Sequence, residues 1–172
     1  MKINRSSNMT WEEYRLEAFK TWNWKITGND AIIYISHKLI EEFAEILGEH
    51  TKHEFHNKTP NYLGEIGDAM WYLAALSNPE FTNVIYRLTA NNIEDKYDIT
   101  TNCMSSISNL LNWINSNYTG LINRCILQRL WDSLVEMINT IGLTLSEIFE
   151  ANIAKIRKRH GVAYNPNHYK GV

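Results

Sequence analysis

From residue 32 onward, apolar side chains recur every three or four positions: Ile32, Ile35, Leu39, Phe43, Ile46 and Leu47, then Leu63, Ile66, Ala69, Met70 and Leu73. That spacing lines one face of an α-helix; a strand would alternate every second residue. The same period returns at Met104, Ile107, Leu111 and Ile114, and again at Ile122, Ile126, Leu130, Leu134, Met137 and Ile141. No stretch shows a β pattern of comparable strength. The predicted fold class is therefore all-α, a helical bundle.

Local signals set the helix boundaries. Thr10 followed by Glu13 reads as a capping box and starts a first helix near 10–22. After the Gly28-Asn29-Asp30 break, a second helix is predicted to about residue 50, with a polar, His-rich loop over 51–58. Pro60 suits a first helical turn, so a third helix should run from there to about 77. The pattern then loosens: 80–90 is a short helical candidate and Asn91–Asp98 a polar stretch. Thr144 and Glu147 form a second capping box, opening a last helix that Gly161 stops after His160. The tail beyond it reads as irregular. At 172 residues, 44% apolar and 21% charged, the chain is sized for a single domain over 1–172 with a real core. It shows no internal repeat.

Composition excludes several classes. A formal charge of −2 argues against a general nucleic-acid surface. No apolar run approaches the roughly 18 residues of a membrane span, and the opening MKINRSSNMT lacks a secretory apolar stretch. Cys103 and Cys125 form no CxxC pair, so neither a disulfide framework nor a zinc knuckle is inferred, and a reducing, cytoplasmic location is expected. The sequons at Asn57 and Asn117 should then stay unmodified.

The chemistry-bearing pattern is acidic. Glu42 and Glu45 lie one turn apart on the second helix, and Glu49 extends the row; Glu65 and Asp68 repeat the spacing on the third. Stacked like charges cost stability unless neutralised, and carboxylate oxygens are the preferred ligands of magnesium or manganese. A solvated acidic face is the plain explanation of any one such row. Here the rows are flanked by Leu39, Phe43, Ile46, Ile66 and Met70, and Lys38 is the nearby base on the second helix. On the last helix Asn152, Lys155 and Arg159 follow at i, i+3 and i+7, a row that can grip phosphates or simply complement the helix dipole. Asp132 and Glu136 share a face without reproducing the acidic pattern. His50, His53 and His56 read as a polar connector rather than a zinc site. Trp11, Tyr14, Trp22 and Trp24 are core candidates that could also stack a base, and Tyr164 and Tyr169 in the tail could close over the site.

KLIEEFAE (38–45), EIGDAMWYLAAL (65–76) and LSEIFEANIAKIRKRHG (145–161) resemble, in that order, the motifs of the MazG-like family of all-α nucleoside triphosphate pyrophosphatases. TWEEYRLEAFKTW (10–22) is similar to the family's first helix. The resemblance implies an antiparallel helical bundle that hydrolyses a nucleoside triphosphate between the α and β phosphates. It implies Glu42, Glu45, Glu65 and Asp68 as ligands of Mg2+, with Mn2+ as a possible substitute. One carboxylate among Glu41, Glu42 and Glu45 would orient or deprotonate the attacking water. Asn152, Lys155 and Arg159 would hold phosphates, with Tyr72 near the substrate and Lys38 a further phosphate candidate. It also implies a homodimer or dimer of dimers. The departure is a helical insertion at about 79–140, before the last helix, whose two amphipathic helices need a partner surface in the chain or across a dimer.

Three other readings stay open on the sequence. One is a non-catalytic helical module that binds nucleotides or a protein partner. The second is hydrolysis of a ppGpp-type alarmone. The third, a di-iron bundle, is disfavoured because neither acidic helix carries a Glu-x-x-His pair.

Overall fold

The computed structural model describes residues 8–22, 25–79, 97–116, 122 and 124–161, and all regular structure among them is helical. Six helices follow in order: α1 (Trp11–Phe19), α2 (Gly28–His56), α3 (Tyr62–Leu76), α4 (Ile99–Ser116), α5 (Arg124–Thr140) and α6 (Leu145–His160). The all-α expectation holds. The 80–90 candidate, Trp24, Tyr164 and Tyr169 lie outside the described residues.

Both capping boxes form. Thr10 and Thr144 accept from the backbone of Glu13 and Glu147, whose side chains reach back to the cap residues. The expected loop at 51–58 does not form, because α2 runs on to His56. Nothing in that polar stretch breaks a helix until Asn57, which takes the left-handed conformation (φ 51°) and ends α2 with its N–H on the carbonyl of His53. His50 and His53 are thereby held on a helix, His50 against the Tyr62 hydroxyl (2.8 Å) and His53 against the carbonyl of Lys58 (3.2 Å). Asn61 is the N-cap of α3, so Pro60 stands just outside the first turn.

Contacts between α2 and α3 run in opposite senses along the chain, His50 with Tyr62, Glu49 with Asn61 and Glu45 with Glu65, the register of an antiparallel hairpin. Glu49 is spent in building it: one oxygen accepts from the backbone N–H of Asn61 (2.8 Å) and the other pairs with Lys52. Helix α3 packs against α1, α2, α5 and α6. A helix wrapped so completely must be apolar nearly all round, and Ile66, Ala69, Met70 and Leu73–Leu76 are all buried. Each such large side chain contributes roughly 1.5–3 kcal/mol on burial.

The two helices described between α3 and α6 find their partners within the chain. Helix α4 packs on α2 and α5, and α5 also reaches α3. Cys103 is buried, with its sulfur 3.7 Å from that of Met137, while Cys125 is exposed. The buried face of α4 is not the Met104/Leu111 stripe. It lies one residue earlier, at Ile99, Cys103, Ser106, Leu110 and Trp113, leaving Met104 and Leu111 exposed. Gly142, at φ 72°, turns the chain between α5 and α6, letting Leu143 donate to the carbonyl of Ile138 (3.1 Å).

Candidate metal centre

The hairpin brings the two acidic rows face to face. Carboxylate oxygens of Glu42, Glu45 and Glu65 all lie within 4.8 Å of one another. Glu42 and Glu65 are half-buried and Glu45 is exposed. Leu39, Phe43 and Ile46 on α2, with Ile66 and Met70 on α3, are fully buried, and α2 packs against α3.

The electrostatics are those of acids crowded together and partly buried. Burial pushes the Glu42 carboxyl up to about 8, and the charges of Asp68, Glu45 and Glu65 add to the effect against the pull of Lys155. The Oε2 of Glu42 is buried with no hydrogen-bond partner. Glu65 is also raised, first by burial and then by Glu45, although the Asn61 amide donates to its Oε1 (2.9 Å) and opposes the shift.

Asp68 has a different setting. Asn152 on α6 donates to its Oδ1 (3.0 Å), and Lys155 forms an ion pair with its other oxygen. Asn152 is 2% exposed and its own Oδ1 accepts from the Tyr14 hydroxyl (2.8 Å). Tyr14 is fully buried, which with Asp68 nearby keeps its phenol protonated well above the ordinary range. Gly67 explains why the EIGD motif has its glycine. A Cβ there would stand 3.1 Å from the Cβ of Asn152 and 3.2 Å from its Nδ2, tighter than ordinary contact.

A pocket of about 170 Å³ opens beside these acids, lined by Glu42, Asp68, Trp71, Tyr72, Lys155 and Arg159. Pockets that take whole drug-sized ligands measure about 300–1,000 Å³, so the walls seen here suit a phosphate-sized group. Of the residues singled out from sequence, Glu42, Asp68, Tyr72, Lys155 and Arg159 therefore share one pocket, and Glu45 and Glu65 adjoin it through Glu42. Glu41 and Lys38 are not among the lining residues. They form an ion pair with each other one turn apart on α2, and Glu41 is exposed.

Sequence reasoning missed Thr21, Trp71 and His160, which also line the pocket. The indole of Trp71 donates to the carbonyl of Ala18 (3.2 Å) and to the Thr21 hydroxyl (3.1 Å), fixing its ring against the end of α1. Its place three residues after Asp68 was the available signal. Tyr14 and Trp22 are core, as favoured, and Trp11 packs edge-on against Trp131 at 4.8 Å. Asp132 and Glu136 lie on α5, away from this pocket.

Compared with known proteins, the chain matches no family model, no curated protein and no solved structure. Among the described residues no helix is long and apolar enough to cross a membrane.

Proposed function

We propose that this chain is a divalent-metal-dependent nucleotide pyrophosphohydrolase, cleaving a (d)NTP to the (d)NMP and pyrophosphate. The observation that carries the reading is the meeting of three carboxylates, one with a buried oxygen that has no partner, with a pocket lined by both Asp68 and the cations Lys155 and Arg159. The buried, unpartnered oxygen of Glu42 is the test of fit. Hard oxygen donors crowded together, one of them buried without a hydrogen-bond partner, suit Mg2+, or Mn2+ in its place. Glu42, Glu45 and Glu65 would hold the ion, with Asp68 completing the set. When bound, such an ion neutralises phosphate charge and lowers the pKa of water.

The residues do the rest. Lys155 and Arg159 draw the polyphosphate into the pocket and stabilise the charge of the departing pyrophosphate. Water adds to phosphorus and the α–β anhydride oxygen leaves with the pyrophosphate. Of the carboxylates that could orient that water, Glu45 is exposed and next to Glu42, which supports giving it the role, while Glu41 is paired with Lys38. Asn152 serves from beneath, since both ends of its amide are engaged inside the protein. Tyr72 and Trp71 line the way to the nucleoside. Following the resemblance, a homodimer is expected, and light scattering of the purified chain checks it.

The deciding experiment incubates the chain with the common NTPs and dNTPs plus magnesium and identifies the products. Pyrophosphate with the matching monophosphate is expected. Orthophosphate alone, or no turnover of any nucleotide, sinks the reading.

A further inference from the structure

Resting on the metal reading of the cleft, we propose that Tyr14 is a positioning residue for Asp68, acting through the side-chain amide of Asn152. The direction of every hydrogen bond in this chain of contacts follows from its ends. The carboxylate of Asp68 paired with Lys155 can only accept, so Asn152 turns its NH2 toward it (3.0 Å). The opposite end of the amide is then the carbonyl Oδ1, which can only accept, and it faces the Tyr14 hydroxyl at 2.8 Å. The phenol has one hydrogen. It goes to Asn152, because the other acceptor within reach, the carbonyl of Gly67, is farther at 3.3 Å. Flipping the amide would set its oxygen against a carboxylate oxygen, so Asp68 fixes which way the amide faces, and the Tyr14 hydroxyl holds its carbonyl end in place.

The anchor is rigid at its base. The Tyr14 ring stacks on Phe149 with centroids 4.3 Å apart and planes 13° from parallel. Phe149 stands one turn before Asn152 on α6, so one helix face holds both the ring and the amide. Tyr14, Phe149 and Asn152 are all buried, whereas Lys155 is only half-buried. Lys155 can thus leave Asp68 for a phosphate while the Asn152 contact stays, and the carboxylate keeps its plane. Buried partners of this kind, one step removed from a metal, typically govern its affinity about 10–100-fold.

The test uses the full chain and four variants, Tyr14→Phe, Asn152→Ala, their combination and Asp68→Asn, with Mn2+ as the probe. In the metal-free protein Tyr14→Phe should shift the side-chain amide signals of Asn152 in the 15N spectrum. Calorimetry should then show Mn2+ bound about tenfold more weakly. In the Asn152→Ala background the same change should cost nothing further, since Tyr14 acts only through that amide. Unmoved Asn152 signals, unchanged affinity, or equal losses in both backgrounds overturn the proposal and leave the metal reading standing. A wild-type chain that takes up no Mn2+, or Asp68→Asn binding as wild type does, removes the metal role of Asp68 and the proposal with it. Should Tyr14→Phe fail to fold, wild-type chain labelled with 3-fluorotyrosine replaces it. The Tyr14 fluorine signal should move in Asp68→Asn, and a signal blind to that change overturns the proposal.

Discussion

Glutamates at the ends of helices and glutamates in the cleft are the same chemical group in opposite circumstances. Glu13 and Glu147 each accept from the backbone N–H and the hydroxyl of their cap threonine at 2.8 Å, and those bonds hold both carboxyls below the ordinary range. Glu42 and Glu65 are raised instead, by burial and then by neighbouring carboxylates, Asp68, Glu45 and Glu65 for Glu42 and Glu45 for Glu65. A Thr-x-x-Glu at a helix start is complete within itself. The cleft acids have no such matched set, and the buried Oε2 of Glu42 has no hydrogen-bond partner at all. Helix formation uses the first kind, and the proposed function rests on the second.

The sharpest way to break this contrast is Glu45→Gln. We expect pyrophosphate release to fall by on the order of a hundred-fold or more, since partners one step farther from a metal already cost about 10–100-fold. The metal-free melting temperature should hold or rise slightly, because one of several mutually repelling charges is gone. A clear loss of stability without metal would show that Glu45 is a structural acid like Glu147. Gly67→Ala comes next. In a helix this change normally gains up to about 1 kcal/mol, but here the added methyl meets Asn152 at 3.1 Å. Activity should drop several-fold at a nearly unchanged melting temperature. Full activity would show that α6 yields freely and that the placement of Asp68 is not critical.

Much of this was legible in the sequence for a simple reason. Rows spaced at i, i+3 fix a helix face whatever the tertiary structure, so the acidic rows and the helices bearing them could be read directly. The basic row was only half legible. Residues 152, 155 and 159 share a side, yet at 100° per residue Lys155 stands about 60° from Asn152 and about 40° from Arg159, and packing against α1 and α3 does the rest. Asn152 is buried, Lys155 half-buried and Arg159 exposed. No spacing rule shows that Asn152 is turned inward onto Tyr14, because that link joins residues 138 apart in the chain. On α4 the difficulty was redundancy. Cys103, Leu110 and Trp113 form a second apolar stripe beside Met104, Ile107, Leu111 and Ile114, and only packing against α2 and α5 chose between them. The end of α2 was misjudged because its last two turns are polar and carry no period to read.

The smallest expected effects test the cap side of the contrast. Thr144→Ala should cost about 1 kcal/mol of stability and leave turnover unchanged, as the cap lies at the far end of α6 from Lys155 and Arg159. Its pH dependence carries the sign. The Glu147 carboxyl is lowered in the folded chain, so its contribution is fully present above the ordinary glutamate value of about 4.5 and is lost as pH falls through the folded value. The stability gap between wild type and Thr144→Ala should therefore narrow as the medium is acidified from about pH 5 toward pH 3. Melting curves at matched ionic strength measure it. A gap that stays constant would mean that the Thr144 hydroxyl stabilises the first turn of α6 without help from the ionised carboxylate, and that Glu147 is nearer in kind to the cleft acids than its two hydrogen bonds imply.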